Sequence, residues 1–402
     1  MMRTLILSMF FFPATVQAEP WAGWRGPGNH GISKDKGFPI AWSKTENVKW
    51  KTEVRGAGVS VPVVWGDRVF LTASEGRLND QLHVYAFARK DGNRLWDTRL
   101  FGSAPTDLYP PGGMAVPTPA TDGKLLFVLF GTGDLAALDF DGKPVWIRSL
   151  AEEYGPFRNR WGMGASPILV GDTLIVQVDH WSQSYLLAVD SNTGKNRWKT
   201  DRTAAVNWST PLAVDTRDGK QIVTIGTHYV RGYDLNNGAE MWSVEGTHQQ
   251  CIPSPVVMGD LVLACSGVNT MAIKLDGSTG DITKSNVVWK NTKAAAFLPS
   301  PLLYGEHLYL PLDKGFALCL DAKTGQQLWR ERLGDAFHAS PVGAEGRVYF
   351  FSKSGIVNVV KAGPKFEELS RNDMGEEVVA GPAFSDGEIF IRGAKHLFCI
   401  GK

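Results

Sequence analysis

The chain repeats one short pattern eight times. A small or β-branched residue and a proline open an apolar run, the run turns on Gly or Asp, and a second apolar run follows. The prolines are Pro62, Pro119, Pro167, Pro211, Pro255, Pro301, Pro341 and Pro382. The residues before them are Val61, Thr118, Ser166, Thr210, Ser254, Ser300, Ser340 and Gly381. Clear copies read PVVWGDRVFL, PILVGDTLIV, PVVMGDLVLA and PLLYGEHLYL. The interval is shortest from Pro301 to Pro341 and longest from Pro62 to Pro119, in or near the roughly 40–50-residue period of propeller blades. Such a unit cannot bury its apolar face alone and must stack on its neighbours.

Each hairpin leads into a third strand, a turn and a tryptophan. The clearest copy runs from Ala188 through Asp190, Thr193, Gly194 and Lys195 to Trp198, and another from Cys319 through Asp321, Thr324 and Gly325 to Trp329. Asp139 to Trp146 and Asp234 to Trp242 are shorter copies, and the turn between Ala272 and Trp289 is expanded. Asp and Thr can hydrogen-bond the turn backbone, Gly supplies positive φ, and Trp packs a large ring between units. Trp50, Trp96, Trp146, Trp198, Trp242, Trp289 and Trp329 hold this position, while the seventh hairpin ends in a degenerate copy near Phe366 to Leu369. The eighth hairpin runs out at Ile400 without a fourth strand, and Val48 to Lys51 precedes the first hairpin without one of its own. Joining the two removes an open sheet edge. The expected fold is all-β: an eight-bladed β-propeller of four-stranded antiparallel blades, closed by an N-terminal strand completing the last blade. It occupies residues 48–402, after a signal peptide (1–18) and a lead segment (19–47).

The leader places Arg3 before the apolar stretch Leu5 to Phe12 and the small-residue site Val16-Gln17-Ala18. That pattern predicts secretion with cleavage after Ala18, hence a periplasmic or extracellular protein. Its apolar stretch is far short of the roughly 20 residues of a spanning helix, and no cysteine stands at the cleavage site to carry a lipid. No stable membrane insertion is expected. Lys and Arg total 42 against 41 Asp and Glu, so no overall field favours nucleic acid. Four cysteines make no disulfide framework in a chain this long. Cys251 and Cys265 flank one predicted hairpin, with a bridge between them left open. Cys319 and Cys399 fall on equivalent strands two repeats apart, too far to pair.

The Ala-x-Asp-x-x-Thr-Gly-Lys-x-x-Trp pattern at Ala188 to Trp198 resembles the tryptophan-docking repeat of quinoprotein-type β-propellers. This superfamily includes the pyrroloquinoline quinone (PQQ) dehydrogenases and the BamB proteins of outer-membrane assembly. The resemblance covers about Val48 to Ile400. The leader Trp21-Ala-Gly-Trp24-Arg25-Gly26-Pro27 is similar to leaders of secreted PQQ-like repeat proteins. For an enzyme, the resemblance implies PQQ with Ca²⁺ over the propeller centre. The adjacent cysteine pair of many alcohol-oxidising members is absent, and no Glu/Asn/Asp set matches their calcium ligands. No cofactor is therefore expected, with PQQ and Ca²⁺ as the alternative. Gly131-Thr-Gly133-Asp-Leu-Ala136 fits a dinucleotide pattern, but strand rather than helix follows it, so it reads as a connecting turn.

In this topology the links between blades and the links between second and third strands share one face, where long insertions concentrate. Binding residues gather on such loops. The candidates there are Tyr109, Arg158, Arg160, Trp161, His180, Trp181, Trp208, His228, Arg231, His248, Gln250, Lys314 and His338. Aromatic and Arg side chains serve as interface anchors. The structural alternative is that Trp161 and Trp208 plug the channel and the arginines pair with Glu152 or Glu153. The expected function is non-catalytic binding of a protein or peptide of the cell envelope, with BamB-like assembly as one version; the alternative is a small-molecule binder, a PQQ- or sugar-binding propeller, with a PQQ-dependent dehydrogenase as its enzymatic form.

Overall fold

The computed structural model describes residues 19–104, 112–159, 161–277 and 279–402. The expected signal peptide lies outside them. The described residues form eight sheets arranged as an eight-bladed β-propeller. The first blade runs Val63–Trp65, Arg68–Glu75, Gln81–Ala88 and Arg94–Phe101, in that order from the axis outward. The eighth takes three strands from the C-terminus, Ala383–Ser385, Glu388–Arg392 and His396–Ile400, and its outer strand, Val48–Glu53, from the other end. Val48 faces Ile400 and Glu53 faces His396 in an antiparallel ladder. Closure thus falls on the pairing read from the sequence.

Apolar cores lie between neighbouring blades. Phe70, Val84 and Ala86 of the first blade pack with Leu126, Val128 and Ala136 of the second. Two blades gain a fifth strand. The expanded turn of the fifth blade sends Gly280–Asp281 along the outer edge of the fourth, parallel to Trp242 and Ser243. From the lead segment, Ile32–Ser33 pairs with Gly343 and Ala344 of the seventh.

The repeated tryptophans bridge each blade to the next. Nε1 of Trp50, Trp96, Trp146 and Trp198 donates to the carbonyls of Arg89, Phe140, Ser191 and Leu235 at 2.8 to 2.9 Å, each in the following blade. The turn glycine of that blade lies under the ring. At Gly194 (φ 72°) an added Cβ would stand 2.8 Å from Trp146, so both conformation and space require glycine. Each outer strand carries a register shift immediately before this position, as between Ala188 and Val189 opposite Trp198. Such a bulge re-aims the residue that follows it. Trp242 departs from the rule and donates to Gln221 Oε1 in its own blade at 2.8 Å, because the next blade's turn is the expanded one. In the seventh blade Ser370 takes the tryptophan's place opposite Val359.

A second device ties the blades near the axis. The hydroxyl before each repeat proline accepts the backbone N–H of its counterpart in the preceding blade. Thr118 accepts from Val61, Ser166 from Thr118, Thr210 from Ser166, Ser254 from Thr210, Ser300 from Ser254 and Ser340 from Ser300, all at 2.9 to 3.0 Å. The belt stops where Gly381 and Val61 offer no hydroxyl. Small residues before the prolines are thus hydrogen-bond acceptors as well as space savers. Ser254→Ala leaves the buried Thr210 N–H unpaired and should cost about 1–3 kcal/mol. Ser254→Thr should retain the bond, and urea unfolding compares the two.

The lead segment crosses the ring. Trp21 is fully buried and its carbonyl receives the Val64 N–H at 3.0 Å, while Ala22 receives that of Thr121 at 2.9 Å. Those contacts are on blades one and two. Arg25 then reaches the far side, donating to the carbonyls of Ser300 at 3.3 Å and Pro341 at 3.5 Å, on the lead-ins to blades six and seven. Burial pushes its guanidinium down to about 9. Phe38 and Trp42 continue over the last blades, their N–H groups held by Glu345 and Asn372.

The four cysteines are buried and free. Cys251 lies before its hairpin, with Sγ at 3.5 Å from the Gly226 carbonyl, and Cys265 Sγ faces the Ala296 carbonyl at 3.4 Å. The pair left open in the sequence is therefore two packed thiols, each raised by burial.

Candidate functional site

A cavity of about 700 Å³ lies where all eight blades meet, on the side of the Trp161 and Trp181 loops. Its wall follows the repeat. The residue three positions before each repeat proline lines it: Val59, Val116, Gly164, Trp208, Ile252, Leu298, His338 and Val379. One residue per blade forms a collar, mostly aliphatic, with one tryptophan and one histidine. Trp24, carried by the segment that crosses the axis, closes the inner end. Trp161, Trp181, Gln250 and Phe297 also line the cavity, as do small residues of the lead-ins such as Ser300, Ser340 and Ala380.

Two loops set the tryptophans. Trp161 sits on the link from blade two to blade three and is 39% exposed, and Trp181 on the second-to-third strand link of blade three is 51% exposed. The loops grip one another: Trp181 N–H donates to the Arg158 carbonyl at 3.3 Å, and the Phe157 and His180 rings meet at 5.1 Å. Trp208 is oriented by its Nε1 donating to Gly162 O at 2.8 Å.

Beneath these loops lies a buried ion pair. Asp179, next to His180 and Trp181 in the chain, holds Arg202 at 3.0 Å and 3.2 Å, with side-chain exposures of 1% and 4%. Gln177 and Asn207 add donors to the same carboxylate at 2.8 Å and 3.1 Å. Arg202 Nη1 donates to Thr224 and Tyr233 at 2.8 Å and 3.0 Å. Because Asn207 precedes Trp208, Asp179 couples the segments carrying Trp181 and Trp208.

Of the thirteen candidate residues, Trp161, Trp181, Trp208, Gln250 and His338 line the cavity. Tyr109 and Arg160 lie outside the described residues. His180 is buried behind the wall, its Nδ1 at 2.9 Å from Ser182 Oγ, and burial lowers its affinity for a proton despite Asp179. His338 is lowered by burial and then by Lys353. His248 stands behind Phe297, ring edge to ring face at 6.0 Å, with Nδ1 receiving the Gln250 N–H. Arg231 pairs with Glu240 at 3.3 Å and lies over the Tyr229 ring, away from the cavity. His228 is exposed at φ 65° and holds the following link through its backbone. Arg158 and Lys314 are exposed and do not line the cavity. Arg148 of the second blade makes the ion pair with Glu153.

The aliphatic collar, Phe297 and Trp24 line the cavity without having been among the thirteen candidates. The signal for the collar was present as a fixed offset from the repeat proline. Trp24 carried no such signal, since only the crossing of the lead brings it to the axis.

Among the described residues the lining contains no carboxylate. Among the described residues no group of three or more His, Cys, Asp and Glu is placed to hold a metal ion. Ca²⁺ takes six to eight oxygen ligands with carboxylates prominent, so these residues do not fit a calcium–quinone centre at the cavity.

Comparison with known proteins returns the same architecture. A 24% identical match over 57% of the chain is to a polyvinylalcohol dehydrogenase of Sphingopyxis, and a 22% identical match over 76% is to a tetrathionate hydrolase of Acidithiobacillus ferrooxidans. The chain spans 40% and 65% of these relatives' own lengths. The crystal structure of BamB from Moraxella catarrhalis superposes with a TM-score of 0.62 at 16% identity, covering 88% of this chain and 98% of that one. A europium-containing methanol dehydrogenase superposes at 0.70 with 11% identity, covering 94% and 90%. At such identities these structures establish the fold alone. The family model of the outer membrane protein assembly factor BamB matches residues 28–158, 80–317 and 313–365. With most of its length so matched, the chain belongs to the BamB family of PQQ-like repeat propellers.

Proposed function

We propose that this protein is a non-catalytic binding scaffold of the cell envelope, which takes an apolar or aromatic segment of a partner protein into the mouth of the propeller. The observation that carries this reading is the mouth itself. It is a cavity of about 700 Å³ walled by aliphatic side chains and four tryptophans, two of them exposed at the rim. Exposed tryptophans beside an apolar pocket are the usual anchors of an interface. The wall is preformed, because the Asp179 network and the hydroxyl belt hold its loops and lead-ins before any partner arrives. A preformed wall lowers the ordering cost of binding. Membership of the family of BamB, an outer membrane protein assembly factor, supports a protein partner. The described residues contain no helix long and apolar enough to cross a membrane.

The test is capture of envelope proteins by wild type and by a Trp161→Ala, Trp181→Ala double variant. Both side chains are exposed enough that the fold should tolerate their loss. Truncating two anchors should weaken retention roughly thirtyfold or more. Equal recovery by both proteins defeats the reading. A rise in melting temperature on adding PQQ with Ca²⁺ to the wild type, which ligand linkage requires of any native-state ligand, defeats it in favour of the cofactor alternative.

A further inference from the structure

A second cavity, at the seam between the eighth and first blades, is built around a charge without a counter-charge. Arg392 ends the strand Glu388–Arg392 and is 3% exposed. Its Nη1 donates across the seam to Ser60 Oγ at 2.9 Å and to the Thr72 carbonyl at 2.7 Å. Among the described residues, Nε and Nη2 make no hydrogen bond to protein, and no carboxylate pairs with the guanidinium. Arg25, also buried without a carboxylate, differs: both its Nη1 and its Nη2 reach carbonyls, those of His30, Ser300 and Pro341, and Nε alone lacks a partner among the described residues. Arg25 is a plug, whereas Arg392 has an edge in reserve.

That guanidinium lines a cavity of about 110 Å³. Gly56, Ala57, Gly58, Gly393 and Ala394 supply much of its wall. Gly58 lies so close that an added Cβ would stand 2.6 Å from Arg392 Nη2. The nearby acids are committed elsewhere. Glu377 also lines the cavity but pairs with Lys353 at 3.2 Å, and Glu376 receives His396 Nδ1 at 2.7 Å and the N–H groups of Lys395 and His396. Burial holds Arg392 down to about 10, which leaves it charged at neutral pH. Val59, Val379 and Ala380 line both this cavity and the mouth, so the two share a wall.

A buried cation is costly unless an opposite charge and hydrogen bonds meet it. The Nε–Nη2 edge of arginine matches the two oxygens of a carboxylate. We propose that the Arg392 cavity binds a small oxyanion, best a carboxylate, and that an acid group on the ligand of the mouth supplies it. The second half of this proposal rests on the binding reading of the mouth. The first half stands without it, since a free anion would meet the same donors.

Melting the full-length protein in potassium acetate and in potassium chloride at equal ionic strength tests the site. Acetate should raise the melting temperature of wild type above its value in chloride, by linkage. Arg392→Gln should lose that difference. So should Ala394→Leu, which fills the cavity and leaves Arg392 in place, and which decides the matter if the first variant does not fold. No acetate-specific rise in wild type, or a rise kept by Ala394→Leu, overturns the site. Calorimetric titration with N-acetyltryptophan and its neutral amide identifies the source. The acid should bind wild type roughly tenfold tighter than the amide, and the two should bind Ala394→Leu alike. Equal binding of both to wild type removes the ligand-borne acid. Binding by neither, with the acetate effect intact, removes the mouth reading and leaves the oxyanion site standing.

Discussion

Asp179→Ala should destabilise the protein by about 3–5 kcal/mol, because it leaves Arg202 charged and buried without its partner. The carboxylate accepts from both Nε and Nη2 of Arg202 and from the amides of Gln177 and Asn207, so its loss also unpairs two buried amide donors. A lower urea midpoint at unchanged denaturant slope is the expected reading. Replacing both ions by apolar residues of similar volume, as Asp179→Leu with Arg202→Met, should recover most of the loss, since breaking a buried pair costs more than removing it. Should the single variant unfold like wild type, the pair contributes nothing to the fold. The effect should extend to the site. Asp179 adjoins His180 and Trp181 and holds Asn207 beside Trp208, so the variant should bind the mouth's ligand more weakly than its residual fold predicts.

Trp21→Ala should cost a similar amount, about 3–5 kcal/mol, by leaving a void where a fully buried ring stood. Trp21 packs with Phe384 of the last blade while its backbone pairs with Val64 of the first. The ring therefore secures the start of the segment that carries Trp24 to the floor of the mouth. Its Nε1 is buried with no hydrogen-bond partner among the described residues. Trp21→Phe, which removes that orphan donor and keeps most of the apolar contact, should cost less than about 1.5 kcal/mol. Trp181→Ala, at an exposed position, should leave the urea midpoint within about 0.5 kcal/mol of wild type. If Trp21→Ala behaved like Trp181→Ala, the lead would be a dispensable strap.

These two expectations mark what was legible beforehand. Asp179 and Trp21 both stand in the sequence, yet nothing there distinguishes Asp179 from Asp172, which pairs with Arg197 at the surface. Burial makes the difference, and burial of a polar side chain depends on which loops close over it. His180 and His248 were candidates for the binding face because of the loops that carry them, yet they stand behind the wall, because a lead-in or link residue faces the axis only at certain offsets. Arg231 was drawn off by Glu240, which lies in the next strand of the same blade.

The sequence by itself determined the blade count, the strand order and the closure of Val48–Glu53 on His396–Ile400. Each follows from a local pattern of prolines, turn residues and tryptophans repeated at blade spacing, and a ring is the arrangement that buries every such unit. It also contained, unread, the offset that builds the collar from Val59 to Val379. Only the tertiary structure decided the rest. The lead crosses the axis, the hydroxyls before the prolines join into a belt, and Arg392 meets the seam between the two ends of the chain without a counter-charge. Those features join residues remote in sequence, and no local periodicity records them. They are set by where the closed ring brings its blades together.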